Sequence, residues 1–503
     1  MYCLLCLILG GIGAFWLLWR FRHRRMISMS RMVPGPPTLP FIGNANKFIC
    51  QPEGRLLVIK ELMEEYGDVV TFWLGPDLNY LISNPDDLKM LLSNPKFSIK
   101  GPQYKYIAEI TGEGILGGSG PQWRKHRKII SPNYSKRVVE TYASVFNKET
   151  DILLEKLRDI GPQKINIYKY IVKTTSYSVC QTLMGLTKDQ TLKLPHLQDI
   201  IDKTPRIYGI GFKRMTQWYL QIDPVFWMTK FYQEQKKFYK MTKQFSQQII
   251  KHRQEMLNTM KDNIKEDLLY SEERNSVINS RLSVIDRYIL SKQLKNYDLI
   301  METFTVFTSS QEASAKISSF IISMMAYHPK CQERLYEEIN RVLRDTDRPV
   351  MNNDLKQMPY LDNVFKEVVR LFPIGVMLQR TIREDIKLSS CTLPAGCSIV
   401  APIYHLHRDP RYWEKPDSFD PDRFTLENMK NRNPNCYLPF SWGPMDCLGR
   451  YFGIQLVKTI VVKILKEFEV TSPEKYEDMR VIMAISAESR NGHPVFLHPR
   501  KKN

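Results

Sequence analysis

Residues 439–450 read PFSWGPMDCLGR, in which Phe440, Gly443, Cys447 and Gly449 fall at the spacing F-x-x-G-x-x-x-C-x-G. A lone buried cysteine is more often inert packing than a ligand. Here the cysteine is framed by two glycines, which let a backbone turn tightly and approach a flat group closely. A thiolate that ligates a porphyrin iron needs such a loop, because the sulfur must reach the metal while the chain runs close against the ring. Cys447 is therefore the candidate axial ligand of a haem iron. Gly443 and Gly449 supply turn and clearance, and Phe440 packs beside the sulfur. Backbone N–H groups around Cys447 would donate to the thiolate and tune its basicity.

A second signal lies upstream and is independent of the first. Glu367 and Arg370, in KEVVRLFP, stand three residues apart on one helix face and form one electrostatic unit. Exposed pairs of this kind are common and weak. Arg423, in FDPDRF at 419–424, would make the unit a buried Glu–Arg–Arg network that holds the cysteine loop against the helix.

Working outward, the longest segment of helical period runs from Asn296 to Tyr327 and is apolar on more than one side, the pattern of a buried helix. Its middle, Thr308 to Ser314, is polar. VVTFWL (69–74) and NYLIS (79–83), separated by Gly75-Pro76-Asp77, read as a β-hairpin, and Asn491-Gly492 signals a second. The polar tract at about 250–295 reads as solvated helices and their connection.

At the other end, Tyr2 to Trp19 carries no charge and is followed by Arg20, Arg22, Arg24 and Arg25. The positive cluster follows the apolar run, unlike a cleaved signal peptide, so residues 1–25 read as a signal anchor that leaves the rest of the chain in the cytosol. Residues 26–45 contain Pro34-Gly35-Pro36-Pro37 and Pro40, a stiff extended hinge. Residues 46–503 are then the catalytic domain. The 503 residues, 43% hydrophobic and 25% charged, describe an ordinary folded protein. A net charge of +19 fits an anionic membrane or an acidic partner. Nucleic acid ranks last, since the basic residues are dispersed and no recognised binding module accompanies them. Nine widely spaced cysteines are unlike a secreted disulfide framework and read as reduced thiols.

Taken together, these landmarks resemble a eukaryotic microsomal cytochrome P-450 over nearly the whole chain: anchor, proline hinge, W-x-x-x-R at Trp123 and Arg127, long central helix, E-x-x-R at Glu367 and Arg370, P-x-R-F at Pro421, Arg423 and Phe424, and the cysteine loop. The stretch IYHLHRDPRYWEKPDSFDPDRF (403–424) resembles the branch of insect enzymes and fatty-acid ω-hydroxylases. The resemblance implies a mainly α fold with small β-sheets, a helix-rich single catalytic domain around a buried haem. It implies haem b, held noncovalently apart from the bond from Cys447 to iron, with propionates facing Trp123, Arg127 and Arg380, and His407 as a further candidate. It implies a monooxygenase on the cytosolic face of the endoplasmic reticulum membrane, acting on an apolar lipid, hormone or xenobiotic. Electrons would come from NADPH through NADPH-cytochrome reductase, with cytochrome b5 as a further partner.

Two departures from the family pattern stand out. Met445 occupies the position of an Arg or His that pairs with a propionate. On the central helix, Ser309-Ser310-Gln311-Glu312-Ala313-Ser314 replaces A/G-G-x-D/E-T-T/S, so Ala313 stands for the oxygen-site threonine and Ser310 for the groove-opening glycine. Glu312 and Ser314 are left as the residues to organise water for proton delivery. Ser309 replaces the glutamate through which some relatives bind haem covalently. Two alternatives follow from these departures: a haem-thiolate isomerase or dehydratase, and a non-catalytic binder of haem and an apolar ligand.

Overall fold

The Asn296–Tyr327 helix has the bounds its sequence pattern predicts, 32 residues in all, or about 48 Å of axis. It runs α-helical without a break through Ser310, and most of its side chains are buried. Burying serines and threonines requires partners for their hydroxyls. The helix provides many of them itself: Thr303 donates to Leu299 O at 2.8 Å, Ser309 to Thr305 O at 2.7 Å, Ser314 to Ser310 O at 2.8 Å and Ser319 to Ala315 O at 2.7 Å. Each bonds the carbonyl four residues back, a pattern that lets short hydroxyl side chains sit inside a core. Around this axis pack the Tyr168–Thr182, Lys230–Asn258 and Arg450–Glu467 helices.

The computed structural model describes residues 2–259, 282–344 and 348–500, with side chains described from residue 10 onward except at residue 12. Small sheets flank the helical body. The largest has four strands: Val69–Leu74, Asp77–Ile82, Ser398–Ala401 and Leu378–Thr381, in that spatial order. Its first pair is the hairpin expected at 69–83. Asp77 joins the second strand, so the turn tightens to Gly75-Pro76, with Gly75 at φ 59°. The fold is the mainly α architecture with small sheets that the resemblance implies.

Three local expectations are corrected. Asn491-Gly492 does turn the chain, with Gly492 at φ 74°, but makes no hairpin. Ala487–Ser489 pairs with Val481–Met483, whereas Pro494–Pro499 pairs with Ile165–Asn166 and Phe468–Thr471. Turn chemistry fixes where a chain reverses, not which strand it meets next. The polar tract is not simply solvated: Arg253 Nε meets Asp286 Oδ1 at 2.8 Å and Arg253 Nη2 meets Asp286 Oδ2 at 2.6 Å, both residues buried. Residues 260–281 of that tract lie outside the described residues. Finally, the proline stretch is extended but docked, since Thr71 N–H donates to Pro34 O at 2.9 Å and Asn44 Nδ2 to Pro37 O at 2.8 Å. A short helix, Arg24–Ser30, precedes it.

Among the described residues no helix is long and apolar enough to cross a membrane. The expected anchor overlaps the Tyr2–Arg22 helix, and the side chains of residues 1–9 and 12 lie outside the description. The seven described cysteines are free.

Candidate active site

The cysteine loop leads directly into the Arg450–Glu467 helix, with Gly449 at its N-cap. The Cys447 N–H donates to Phe440 O at 2.9 Å, closing the loop on itself. The sulfur's exposure is to an interior cavity of about 340 Å³, of which it forms part of the wall. Burial in the surrounding protein pushes the thiol pKa up, opposed chiefly by the Gly449 N–H. A helix N-terminus favours an anion at this position.

The two glycines serve different purposes. A Cβ on Gly443 would lie 2.1 Å from Leu92 O, and its φ is 74°. Gly443 is thus required by close packing against the Pro85–Ser93 helix and by a left-handed backbone. A Cβ on Gly449 would meet nothing nearer than Tyr134 at 3.9 Å. Gly449 lines the cavity, so a side chain there would project into the space left clear. Phe440 also lines the cavity and stacks toward Phe365 at 6.5 Å between ring centroids.

Charge in this cavity is one-sided. Its charged lining residues are Lys100, Arg127, Arg380 and Asp446. Three basic residues face one carboxylate in a largely apolar interior. Arg127 takes up Asp446, donating to its carboxylate and, at 2.7 Å, to its backbone O. Arg380 is buried, and among the described residues its guanidinium donates to Gln379 O alone, at 2.9 Å. Lys100 donates to the backbone oxygens of Ile115 and Leu116 and has no carboxylate partner among the described residues. Burial holds its pKa well below the usual lysine range, and the neighbouring Arg380 pushes the same way. Haem b carries two propionates and needs one axial donor, so donor and charge both match. Trp123, one helical turn before Arg127, lines the same space, with the guanidinium 5.5 Å from its ring centroid. Sequence reasoning missed Lys100. Its backbone bridges to Arg380 across the edge of the four-stranded sheet, a pairing between residues 280 positions apart that no local pattern carries.

The Glu–Arg–Arg network comes together but grips a different partner from the one expected. Arg370 meets Glu367 through two bonds of 2.7 Å, with both side chains fully buried, and Arg423 Nε lies 3.4 Å from Glu367 Oε1. Its other bonds run to residues 407–420: Arg370 donates to His407 O, Pro416 O and Ser418 O, and Glu367 accepts from Asp420 N–H. The link to the cysteine loop is one step further on. Leu438 N–H donates to His407 Nε2 at 2.9 Å, and Tyr437 O–H donates to Lys366 O at 3.0 Å. His407 is thereby corrected from a propionate candidate to a fully buried strut. Burial holds its pKa down to about 3.

The proton-delivery pair is also separated. Ser314, Ala313, Ser310 and Ser309 line the cysteine cavity, whereas Glu312 faces an adjoining one, with Oε1 2.8 Å from Lys316 Nζ. Residues two apart on a helix point to different sides, so Glu312 and Ser314 do not share one space. Lys316 was overlooked although its i, i+4 spacing from Glu312 was visible in the sequence.

A cysteine at a helix N-terminus, opening on a cation-rich apolar cavity beneath a long buried helix, defines a haem-thiolate protein. The comparisons agree: the family model described as Cytochrome P450 matches residues 33–489, and the chain belongs to that family. It is similar to cytochrome P450 4d2 of Drosophila melanogaster, 31% identical over 96% of this chain and 97% of the relative. Cytochrome P450 4c3 of the same fly is 27% identical over 98% and 94%, and human cytochrome P450 4V2 is 28% identical over 92% and 88%. These are relatives of the branch that residues 403–424 resemble. The protein is accordingly a haem-thiolate monooxygenase, an oxidoreductase with haem iron, and neither alternative is favoured.

Proposed function

We propose that Cys447 supplies the axial thiolate and that the enzyme inserts one oxygen atom from dioxygen into an apolar substrate, a lipid, hormone or xenobiotic, with electrons passed from NADPH by a reductase. The observation that carries the reading is the convergence of one thiol and three basic residues, against a single carboxylate, on one cavity. The haem, when bound, supplies the activation of dioxygen and its transfer. The chain's residues bind and orient it: Lys100, Arg127 and Arg380 meet the propionates, with Trp123 beside them. Gly449 leaves clearance, and Gly443 and Phe440 hold the loop in shape. Lys100 and Arg127 stand in for the cation that Met445 replaces. Ser314 is the hydroxyl for proton handling on the haem side. Its own proton is committed to Ser310 O, so it offers lone pairs to a water.

The membrane reading rests on the apolar run at 2–19 and on exposed Phe41, Ile222, Trp227 and Met228. Phe41 and Ile222 border one surface hollow, so the N-terminal segment and the 219–232 segment share a face. That face and the net +19 suit an anionic bilayer and an acidic reductase, with cytochrome b5 as a second partner. The organisation is then an anchor at 1–25, a docked proline segment at 26–45 and a catalytic domain at 46–503, on the cytosolic side of the endoplasmic reticulum. The deciding experiment is the ferrous carbonyl spectrum of purified protein. A thiolate signature that disappears in Cys447→Ala is the expected result, and an imidazole-type spectrum in the wild type overturns the reading. Deleting residues 1–25 should release the protein from microsomes, and continued attachment would move the anchor elsewhere.

A further inference from the structure

A second cavity, of about 310 Å³, adjoins the first, and Ser309, Ala313 and Leu378 line both. Most of its wall is apolar. One side is not: Thr308, Glu312 and Lys316 project from one face of the central helix, Tyr208 from the Leu197–Thr216 helix, and Ser486 and Glu488 from the chain at the Ala487–Ser489 strand. Residues at i, i+4 and i+8 share a helix face, which explains the alignment of the first three.

The bonding in this cluster is lopsided. Lys316 Nζ donates to Ser486 Oγ at 2.6 Å and Glu488 Oε1 at 2.7 Å, and pairs with Glu312 Oε1 at 2.8 Å. An ammonium has three donors; two are taken by these hydrogen bonds, and the charge is shared with Glu312 through the ion pair. Two carboxylates therefore share one cation. The Glu312 oxygen is close enough for an ion pair but off the hydrogen-bond axis, and it is left without a hydrogen bond. The Tyr208 and Thr308 hydroxyls lie near each other in poor hydrogen-bond geometry, and neither has another partner among the described residues. Thr308, Glu312 and Tyr208 are 0%, 5% and 7% exposed. Buried polar groups without partners are rare in folded proteins and mark a place where something else supplies the bond. What they offer an incoming group is mainly acceptor capacity, beside two acidic side chains that share one lysine.

We propose that this wall is the head-group site for an amphipathic substrate whose polar end is a hydrogen-bond-donating hydroxyl, and that it rejects a carboxylate head. A long-chain alcohol donates its O–H to Glu312 or Thr308 and accepts from Tyr208, while its apolar tail lies along the remaining walls. A fatty acid brings a third carboxylate to one lysine that two acidic side chains already share. Rejection of this kind, through unpaired charge, gives larger discrimination than a change in apolar contact. The inference rests on the haem-thiolate reading only for placing the reacting end in the adjoining cavity.

The test is isothermal titration calorimetry of the full haem-loaded chain with 1-decanol and with decanoic acid near neutral pH. The alcohol should bind about tenfold or more tightly than the acid. In Glu488→Gln, which leaves Lys316 with one carboxylate in place of two, the acid should gain at least about fivefold and the alcohol should change by less than about twofold. In Thr308→Val the alcohol should lose about fivefold, with the acid little altered. Equal affinities in the wild type would mean that water serves these groups, and would overturn the proposal, as would tighter binding of the acid. A ratio unmoved by both substitutions would also overturn it. Should one variant fail to fold, the wild-type pair and the other variant still decide. Loss of the thiolate signature in the ferrous carbonyl spectrum would sink the haem reading separately, because calorimetry reads the head-group site without it.

Discussion

Replacing Glu367 by glutamine isolates what the buried network contributes. Glu367 and Arg370 are both fully buried, and removal of the carboxylate charge leaves two buried guanidiniums, of Arg370 and Arg423, with no full counter-charge in the interior. Breaking one side of a buried pair costs about 3–5 kcal/mol. Three carbonyls, of His407, Pro416 and Ser418, continue to accept from Arg370, and glutamine retains an acceptor for Asp420 N–H. The loss should therefore lie near the lower bound, about 3 kcal/mol, equivalent to about 150-fold in the unfolding equilibrium. Against a total stability of about 5–15 kcal/mol that is a large fraction. The assay is guanidinium unfolding followed by tryptophan fluorescence, since Trp413 lies 5.0 Å from the Arg370 guanidinium and reports on the same site. The control is Asp199→Asn, which breaks a half-exposed i, i+4 pair with Lys203 and should cost about 0.5 kcal/mol or less. If Glu367→Gln costs no more than the control, the view that this charge is desolvated and uncompensated is refuted.

Three other predictions probe separate parts of the protein. Lys100→Met and Arg380→Leu should each speed transfer of haem to apomyoglobin, by about tenfold for the loss of one charge-assisted bond, and a rate unchanged in both would remove these cations from the propionate set. Gly443→Ala should lower the yield of folded protein sharply, because its Cβ would meet Leu92 O at 2.1 Å; Gly449→Ala should fold and instead retain haem poorly, as measured by the haem-to-protein absorbance ratio. Burial lowers the pKa of His405 to about 4 and of His407 and His493 to about 3. Between those values and about 6.5 the unfolded chain binds more protons than the folded one, so stability falls as pH drops below about 6.5, by up to about 1.4 kcal/mol per pH unit per histidine. Denaturation midpoints from neutral pH down to about 4.5 should show this slope. His407→Gln should remove close to a third of the histidine contribution, and an unchanged slope would count against neutral burial.

Some of this was written locally in the chain. The cysteine loop, the Trp123–Arg127 pair, the hairpin at 69–83 and the central helix were all legible, because each depends on contacts within a few residues or on one uninterrupted periodicity. The Glu367–Arg370 pair belongs to this group as well, being three residues apart on one helix face. What the tertiary structure alone decided is everything that joins distant segments. Lys100 meets Arg380 only through a sheet edge, His407 becomes a strut only when Leu438 arrives beside it, and Asn491-Gly492 turns between two separate sheets. Glu312 and Ser314 were grouped by their closeness in sequence and divided by the helical rotation between them. Lys316 gained significance only when Ser486 and Glu488 closed around it. Local propensity and spacing settle which elements form and which side chains share a face. The excess of charge on one cavity, or of acceptors on the next, is a sum over residues hundreds of positions apart, and it exists only once packing has brought them to the same wall.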